Sequence, residues 1–204
     1  MFSIKKKLYS FLYKVSAYSQ AGQDLFALEL FGKNGTYVDI GSGNPVSGNN
    51  SYLLEVKNNW VGFCIDYDTS QKINWENNNE RKNKIYWVDA TLFDYKKAVI
   101  DNKLPINIDF LSCDIEPQHK TFLALKKVFT DGLRPKAIAF ETDYYREKID
   151  YSSVADLFLK PYGYQIGVKN VYSNLKKKKI FETWFVHNSL NFKTIEYKDW
   201  VKKF

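Results

Sequence analysis

The sequence predicts an α/β protein with a doubly wound, mostly parallel seven-stranded sheet that ends in an antiparallel hairpin. Three observations support this fold class. Short apolar, β-branched or aromatic runs alternate with segments of helical spacing, as in successive strand–helix–strand units. Most of these runs end in an acidic residue. After Pro161 the alternation stops, and two longer strand-like runs follow each other.

The elements follow in order along the chain. Five runs are predicted as parallel strands: "TYVDI" (36–40), "VGFCID" (61–66), "KIYWVD" (84–89), "IDFLSCD" (108–114) and "KAIAFE" (136–141). The segments "NSYLLEVKN", "DYKKAVIDNK" and "HKTFLALKKVF" have helical spacing and would cover both faces of the sheet. The runs "YGYQIGVKNVY" and "IFETWFVH" should form the hairpin, with "KKKK" at 176–179 in an exposed loop.

Length and composition limit the class of protein. A chain of 204 residues with 45% hydrophobic side chains suits one domain over 1–204, with 1–17 as an N-terminal helical extension. No apolar run approaches the roughly 20 residues that span a bilayer. Cys64 and Cys113 lie in strand-like runs, so we expect buried free thiols and a cytoplasmic, reducing location.

The formal net charge of +7 raises the question of a nucleic-acid partner. The 30 basic side chains include only three arginines, Arg81, Arg134 and Arg146. Proteins that read nucleic acids favour arginine, whose planar fork pairs with phosphates and guanine edges. We therefore interpret the charge as a solvated lysine-rich surface, and nucleic acid stays open as an alternative partner.

Acidic residues end four of the five predicted parallel strands. These are Asp66, Asp89, Asp114 and Glu141, and the first strand carries Asp39 just before its glycines. In open α/β sheets the ligand binds outside the carboxyl ends of the strands. Because buried carboxylates are costly unless they are paired, this row predicts a ligand with hydroxyls, a cationic group or a metal ion.

The loop "YVDIGSGNP" (37–45) resembles a nucleotide loop without its last glycine. Gly41 and Gly43 permit a tight turn, and Asp66 at the end of the next strand can accept both hydrogen bonds of a ribose diol. Asn44-Pro45 stands where a dinucleotide site prefers its third glycine. Asp39 would repel phosphate and suit a cation. The loop therefore fits S-adenosylmethionine better than NAD.

Four stretches together resemble the FkbM-like S-adenosylmethionine-dependent methyltransferases of the class I fold. They are "SQAGQDLFALELFGKNGTYVDIGSG", "SGNNSYLLEV", "WVGFCIDYD" and "IDFLSCDIEP", and the resemblance covers roughly residues 18–190. Two departures are Asn44-Pro45, where a small residue plus glycine is common, and Pro117, where the family has glycine.

The resemblance implies roles for individual residues. Asp39, Gly41 and Gly43 would line the methionine portion of the cofactor. Asp66 would bind the ribose, Tyr67 would pack nearby, and Asp89 would bind the adenine amino group with backbone contacts from Val88 or Ala90. Gln20, Gln23 and Asp24 would lie on a helix that caps the cofactor.

The methyl acceptor implied by the resemblance is a hydroxyl of a carbohydrate or small molecule. The segment "DIEPQH" lacks the Asp/Asn-Pro-Pro-aromatic pattern of enzymes that methylate amino groups of bases. The fifth strand ends in Glu141, where the ribose 2′-hydroxyl enzymes need a lysine. A nucleic-acid methyltransferase, an oxidoreductase and a non-catalytic S-adenosylmethionine-binding module remain as alternatives.

A hydroxyl acceptor must lose its proton to a base or bind a metal. His119, one helical turn after Glu116 and close to Asp114, is the predicted base, whereas His187 is expected to be structural. The alternative is Mg²⁺ held by Asp114, Glu141 and Asp143. We favour the metal-free mechanism, because no metal-ligand motif is present.

Overall fold

The computed structural model describes residues 17–143, 149–172 and 179–204. The strands are β1 Thr36–Ile40, β2 Val61–Asp66, β3 Lys84–Trp87, β4 Phe110–Cys113, β5 Ala137–Glu141, β6 Tyr164–Tyr172, β7 Ile180–His187 and β8 Ile195–Glu196. The α-helices are α1 Gln23–Phe31, α2 Lys72–Glu76, α3 Tyr95–Asp101, α4 Gln118–Thr130, α5 Tyr151–Leu159 and α6 Tyr197–Trp200. A π-helical segment, Leu53–Lys57, takes the place of the first crossover helix.

The strands form one sheet in the order β3-β2-β1-β4-β5-β7-β6-β8. β1 to β5 are mutually parallel, β7 pairs antiparallel with both β5 and β6, and β8 is parallel to β6. The predicted doubly wound sheet and its antiparallel hairpin are confirmed. The described sheet has eight strands rather than seven, because the two-residue β8 joins the edge beyond the hairpin. The strand order reverses between β1 and β4, which opens a crevice at the carboxyl ends of the strands.

Both faces of the sheet are covered, as expected for parallel strands. In β1, Val38 and Ile40 face one apolar cluster and Tyr37 faces the other. The first cluster includes side chains of α3, α4 and α5, and the second includes those of α1 and α6. This two-sided burial fixes the register of β1 and therefore the position of the glycine loop that follows it.

Local signals explain where several helices begin. Asp94 accepts a hydrogen bond from the Lys97 N–H (2.8 Å) at the start of α3, and Asp150 accepts one from the Ser153 N–H (3.2 Å) at the start of α5. Such caps satisfy N–H groups that have no partner within the helix. The α4 prediction is confirmed almost to its ends.

Other sequence predictions have mixed outcomes. Cys64 and Cys113 are buried free thiols. The predicted helical extension over 1–17 lies outside the described residues except for Ala17, and most of the lysine loop at 176–179 also lies outside them. No helix among the described residues has the length and apolar character to cross a membrane.

Candidate functional site

A cavity of about 470 Å³ opens at the carboxyl ends of β1 to β4. Its walls include the predicted residues Gly41, Asp66, Tyr67, Asp89, Asp114 and Glu116. These residues are far apart in the chain, and the parallel strands bring them to one edge of the sheet. The volume is in the usual range for small-molecule sites.

The two loop glycines have different reasons for being glycine. Gly41 has φ +80°, and a Cβ built there would lie 1.6 Å from the Asp114 carbonyl oxygen. Gly43 has φ +55°, but a Cβ there would meet no atom within 4 Å. Gly41 therefore lets β1 and β4 approach closely at the pocket floor, whereas Gly43 is needed only for its left-handed backbone.

Asp66 is buried at the end of β2 and holds the loop that lines the pocket. Its Oδ2 accepts the Gly43 N–H (2.7 Å), and its Oδ1 accepts the Asp68 N–H (2.8 Å). The carboxylate is therefore fixed in orientation and keeps lone pairs for further donors. Tyr67 follows with its side chain 78% exposed, so its ring is available to a ligand.

Asp89 lies on the cavity wall two residues after the end of β3, the strand next to β2. Its Oδ1 accepts hydrogen bonds from the Thr91 N–H (2.8 Å) and the Thr91 hydroxyl (2.7 Å). These bonds lower the pKa of Asp89, so the side chain is a charged acceptor at neutral pH. Val88 and Ala90 line the cavity beside it.

Other predicted cofactor residues, Gly43 among them, lie outside the cavity wall. The buried Asp39 accepts a hydrogen bond from the Ser51 hydroxyl (2.7 Å), and burial raises its pKa to about 6. Asp24 is fully buried and accepts hydrogen bonds from the Tyr18 N–H and the Ser19 hydroxyl. Gln20 is exposed. The structure therefore gives Asp24 a local role in folding the segment before α1.

Arg81 stabilises the glycine loop, since its guanidinium donates to the Pro45 carbonyl (3.0 Å). The sequence did not identify it as a site residue. Its buried guanidinium donates to Glu55 (2.7 Å) and Asn49 (3.0 Å) and lies 4.4 Å from the ring centroid of Trp75. Trp75 in turn donates its indole N–H to the Gly43 carbonyl (2.9 Å). The only sequence signal was that arginine is rare in a lysine-rich chain.

A buried group of acids extends from the pocket wall toward β7. Glu141 donates a hydrogen bond to Asp114, and burial together with the nearby Asp114 raises the pKa of Glu141 to about 12. Glu182, the register partner of Glu141, accepts hydrogen bonds from Gln23 (2.8 Å) and Trp184 (2.6 Å). Burial raises its pKa to about 8. Glu141 is therefore protonated at neutral pH, whereas Glu182 exchanges its proton around pH 8.

The predicted catalytic residues are only partly brought together. Asp114 and Glu116 line the cavity, whereas His119 is exposed in the first turn of α4 and is not part of the wall. No group of three or more His, Cys, Asp or Glu side chains within the described residues has a metal-binding arrangement. The alternative Mg²⁺ set of Asp114, Glu141 and Asp143 is therefore not supported, since Glu141 is hydrogen-bonded to Asp114.

Several polar groups at this end of the sheet are buried without a hydrogen-bond partner among the described residues. They are Ser42 Oγ, Asn50 Oδ1, Gln118 Nε2 and Thr142 Oγ1. Such groups are rare in folded proteins because leaving one unpaired costs about 1–3 kcal/mol. Their concentration beyond the carboxyl ends of β1, β4 and β5 indicates a place for a polar ligand.

The fold is similar to those of solved methyltransferases. The METTL16 MTase domain superposes with a TM-score of 0.60 at 14% identity, over 91% of this chain and 78% of that one. A candidate tRNA methyltransferase from Streptococcus pneumoniae, in complex with S-adenosyl-L-methionine, gives 0.51 at 10% identity, over 82% and 72%. The chain has the class I methyltransferase fold.

The small RNA methyltransferase HEN1 superposes with a TM-score of 0.54 at 13% identity. The match covers 85% of this chain but only 25% of the HEN1 chain, so this chain spans about a quarter of that protein. No family model matches the sequence, and no curated protein matches it.

Proposed function

We propose that this protein is an S-adenosylmethionine-dependent methyltransferase that methylates a hydroxyl of a carbohydrate or small molecule. The observation that carries the cofactor assignment is Asp66, fixed at the end of β2 between the glycine loop and the cavity. The fold and the ionised Asp89, which follows the neighbouring strand β3, support it. The four sequence motifs are our reason for proposing an FkbM-like subfamily.

The bound cofactor would supply an electrophilic methyl group, so the protein needs mainly to position the acceptor and take its proton. We propose Asp114 as the base. It is half-buried on the cavity wall, and the loss of water raises its pKa and makes the carboxylate more basic. Glu141, which donates to Asp114, would hold the carboxylate in place.

Charge near the cavity supports a neutral or cationic acceptor. Among the described residues it is lined by five acids and one cation, Lys120; the acids are Asp66, Asp68, Asp89, Asp114 and Glu116. A polyanion would be repelled at such a wall, whereas sugar hydroxyls can donate to carboxylates.

Cofactor binding is tested by titration calorimetry with S-adenosylhomocysteine. Asp66→Ala should weaken binding at least tenfold, because hydrogen bonds to a charged acceptor contribute about 1.5–3 kcal/mol each. Asp101→Ala, which removes an exposed carboxylate from α3, is the matched control and should bind like the parent. Unchanged binding by a folded Asp66→Ala protein would reject the cofactor site.

The base is tested by methyl transfer from labelled cofactor to a panel of sugars and hydroxylated small molecules. Asp114→Asn should lower the rate about 10²–10⁴-fold while cofactor affinity is retained. His119→Ala should keep the parental rate, since its side chain is exposed outside the wall. The reverse pattern would make His119 the base.

RNA is a second candidate acceptor. It is favoured by the likeness to the small RNA methyltransferase HEN1 and by the net charge of +7. The same labelled assay with RNA in place of the sugar panel distinguishes the two. Label in RNA that is lost in Asp66→Ala would establish the second candidate.

A further inference from the structure

A second cavity, of about 300 Å³, lies at the opposite end of the sheet from the cofactor pocket. It is lined by residues that precede β4 and β5 and by the end of β7. β7 runs antiparallel to β5, so its last residue meets the start of β5, where the His187 N–H donates to the Lys136 carbonyl (2.8 Å). The proposed methyl transfer uses none of these residues.

Arg134 is held rigidly at this cavity. Its Nη1 donates to the carbonyl oxygens of Phe129 (2.8 Å) and Leu133 (2.7 Å). The guanidinium carbon lies 5.0 Å from the ring centroid of Phe129 and 4.8 Å from that of Tyr162. These contacts fix the plane of the guanidinium and use only one of its three nitrogens, so Nε and Nη2 remain as donors.

His187 adds a donor of defined tautomer. Its Nδ1 accepts the Ser189 N–H (3.2 Å), so the neutral ring carries its proton on Nε2. Nε2 is beside Gly163, where an added Cβ would lie only 3.1 Å away. The absence of a side chain at Gly163 therefore leaves this edge of the imidazole accessible.

Lys136 contributes a second cation. Its Nζ is 2.8 Å from Asp109 Oδ1, and its side chain remains 44% exposed. Asp109 is not on the cavity wall, and no acidic side chain of the described residues lines it. The wall thus includes Arg134, Lys136 and His187, together with Asn107 and Ser189.

We propose that this cavity binds the phosphate group of a small phosphomonoester. A fixed guanidinium matches the geometry of phosphate oxygens, and a second cationic residue on the same wall adds to the favourable charge. The volume admits a phosphate with a small organic group, and the 40% exposed ring of Tyr162 offers a flat apolar surface to that group.

The test uses histidine NMR signals at constant pH and ionic strength. The chain has two histidines, and the exposed His119 on α4 serves as an internal reference. Inorganic phosphate and phenyl phosphate should each shift the His187 signals saturably, with assignment by His187→Gln. Phenol, which lacks the phosphate, should leave them unchanged. Tighter binding of phenyl phosphate than of inorganic phosphate would show that the organic group is also recognised.

Lys136→Gln should weaken phenyl phosphate binding at least tenfold, and Arg134→Lys should do the same while it keeps the charge. Lys97→Gln is the matched control, because Lys97 also pairs with an aspartate, Asp101, at 2.6 Å. Melting curves establish that each variant is folded. The proposal is overturned if phosphate moves both histidines alike, if phenol acts like phenyl phosphate, or if folded Lys136→Gln and Arg134→Lys proteins bind like the parent.

Discussion

At the scale of single residues, the two loop glycines give a paired prediction. Gly43→Ala should cost about 1–2 kcal/mol of stability, the usual penalty of a left-handed conformation for a residue with a side chain. Gly41→Ala should be much worse, because its Cβ would overlap the Asp114 carbonyl oxygen at 1.6 Å. Denaturant unfolding of both variants measures the difference. Equal stabilities would contradict the close approach of the loop to β4.

Single residues also show what the sequence could predict about the site. Asp66 and Asp89 were predictable because Asp66 ends β2 and Asp89 follows β3 by two residues, and parallel strands carry their ends to one edge. Asp24 was assigned from the family motif and His119 from its spacing after Glu116, and neither signal says which way a side chain faces. The role of Arg81 could not be predicted, because its partners come from separate segments that only the fold brings together.

At the scale of elements, β5 and β7 carry Glu141 and Glu182 as buried neighbours. The pKa of Glu182 is raised from 4.5 to about 8, so the folded state holds a proton that the unfolded state releases. The protonated Glu182 side chain therefore contributes its full stabilisation below about pH 4.5. This stabilisation is lost as pH rises to about 8 and the side chain ionises. Glu182→Gln mimics the protonated form and should therefore remove much of this pH-dependent loss. The difference in the free energy of unfolding should be roughly 2–4 kcal/mol at pH 8.

Thermal unfolding of both proteins between pH 4.5 and 8 measures this effect. Glu196→Gln is the control, because Glu196 lies near the surface in β8 and hydrogen bonds lower its pKa. If the parent and Glu182→Gln lose stability in parallel as pH rises, Glu182 is ionised in the fold.

The elements themselves were predictable to different degrees. β1 and β2 match their predicted bounds, because nearly all of their residues are buried on both faces of the sheet. The segment after the glycine loop has helical spacing, but only five residues form a helix and they are π-helical. The two-residue β8 has too short a pattern to recognise, and only its contact with β6 makes it a strand.

At the scale of the whole molecule, charge is unevenly distributed between the ends of the sheet. The cavity at the carboxyl ends of β1 to β4 is lined mainly by acids, whereas the wall of the opposite cavity includes Arg134 and Lys136. RNA should therefore bind through general attraction to lysines, and its affinity should fall at least tenfold between about 50 and 200 mM salt. Fluorescence anisotropy with a labelled RNA measures this, and sub-micromolar binding at about 150 mM salt would favour RNA as acceptor.

The unpartnered polar groups beyond β1, β4 and β5 have a practical consequence. An acceptor of the proposed methyl transfer that pairs with Asn50, Gln118 or Thr142 would bind the folded chain only. At a concentration a hundred times its dissociation constant, such a ligand adds about 2.7 kcal/mol to the free energy of unfolding. For a chain of this size that raises the melting temperature by roughly 5–10 °C. Heating the protein with a library of hydroxylated compounds can therefore identify its acceptor before any turnover has been observed.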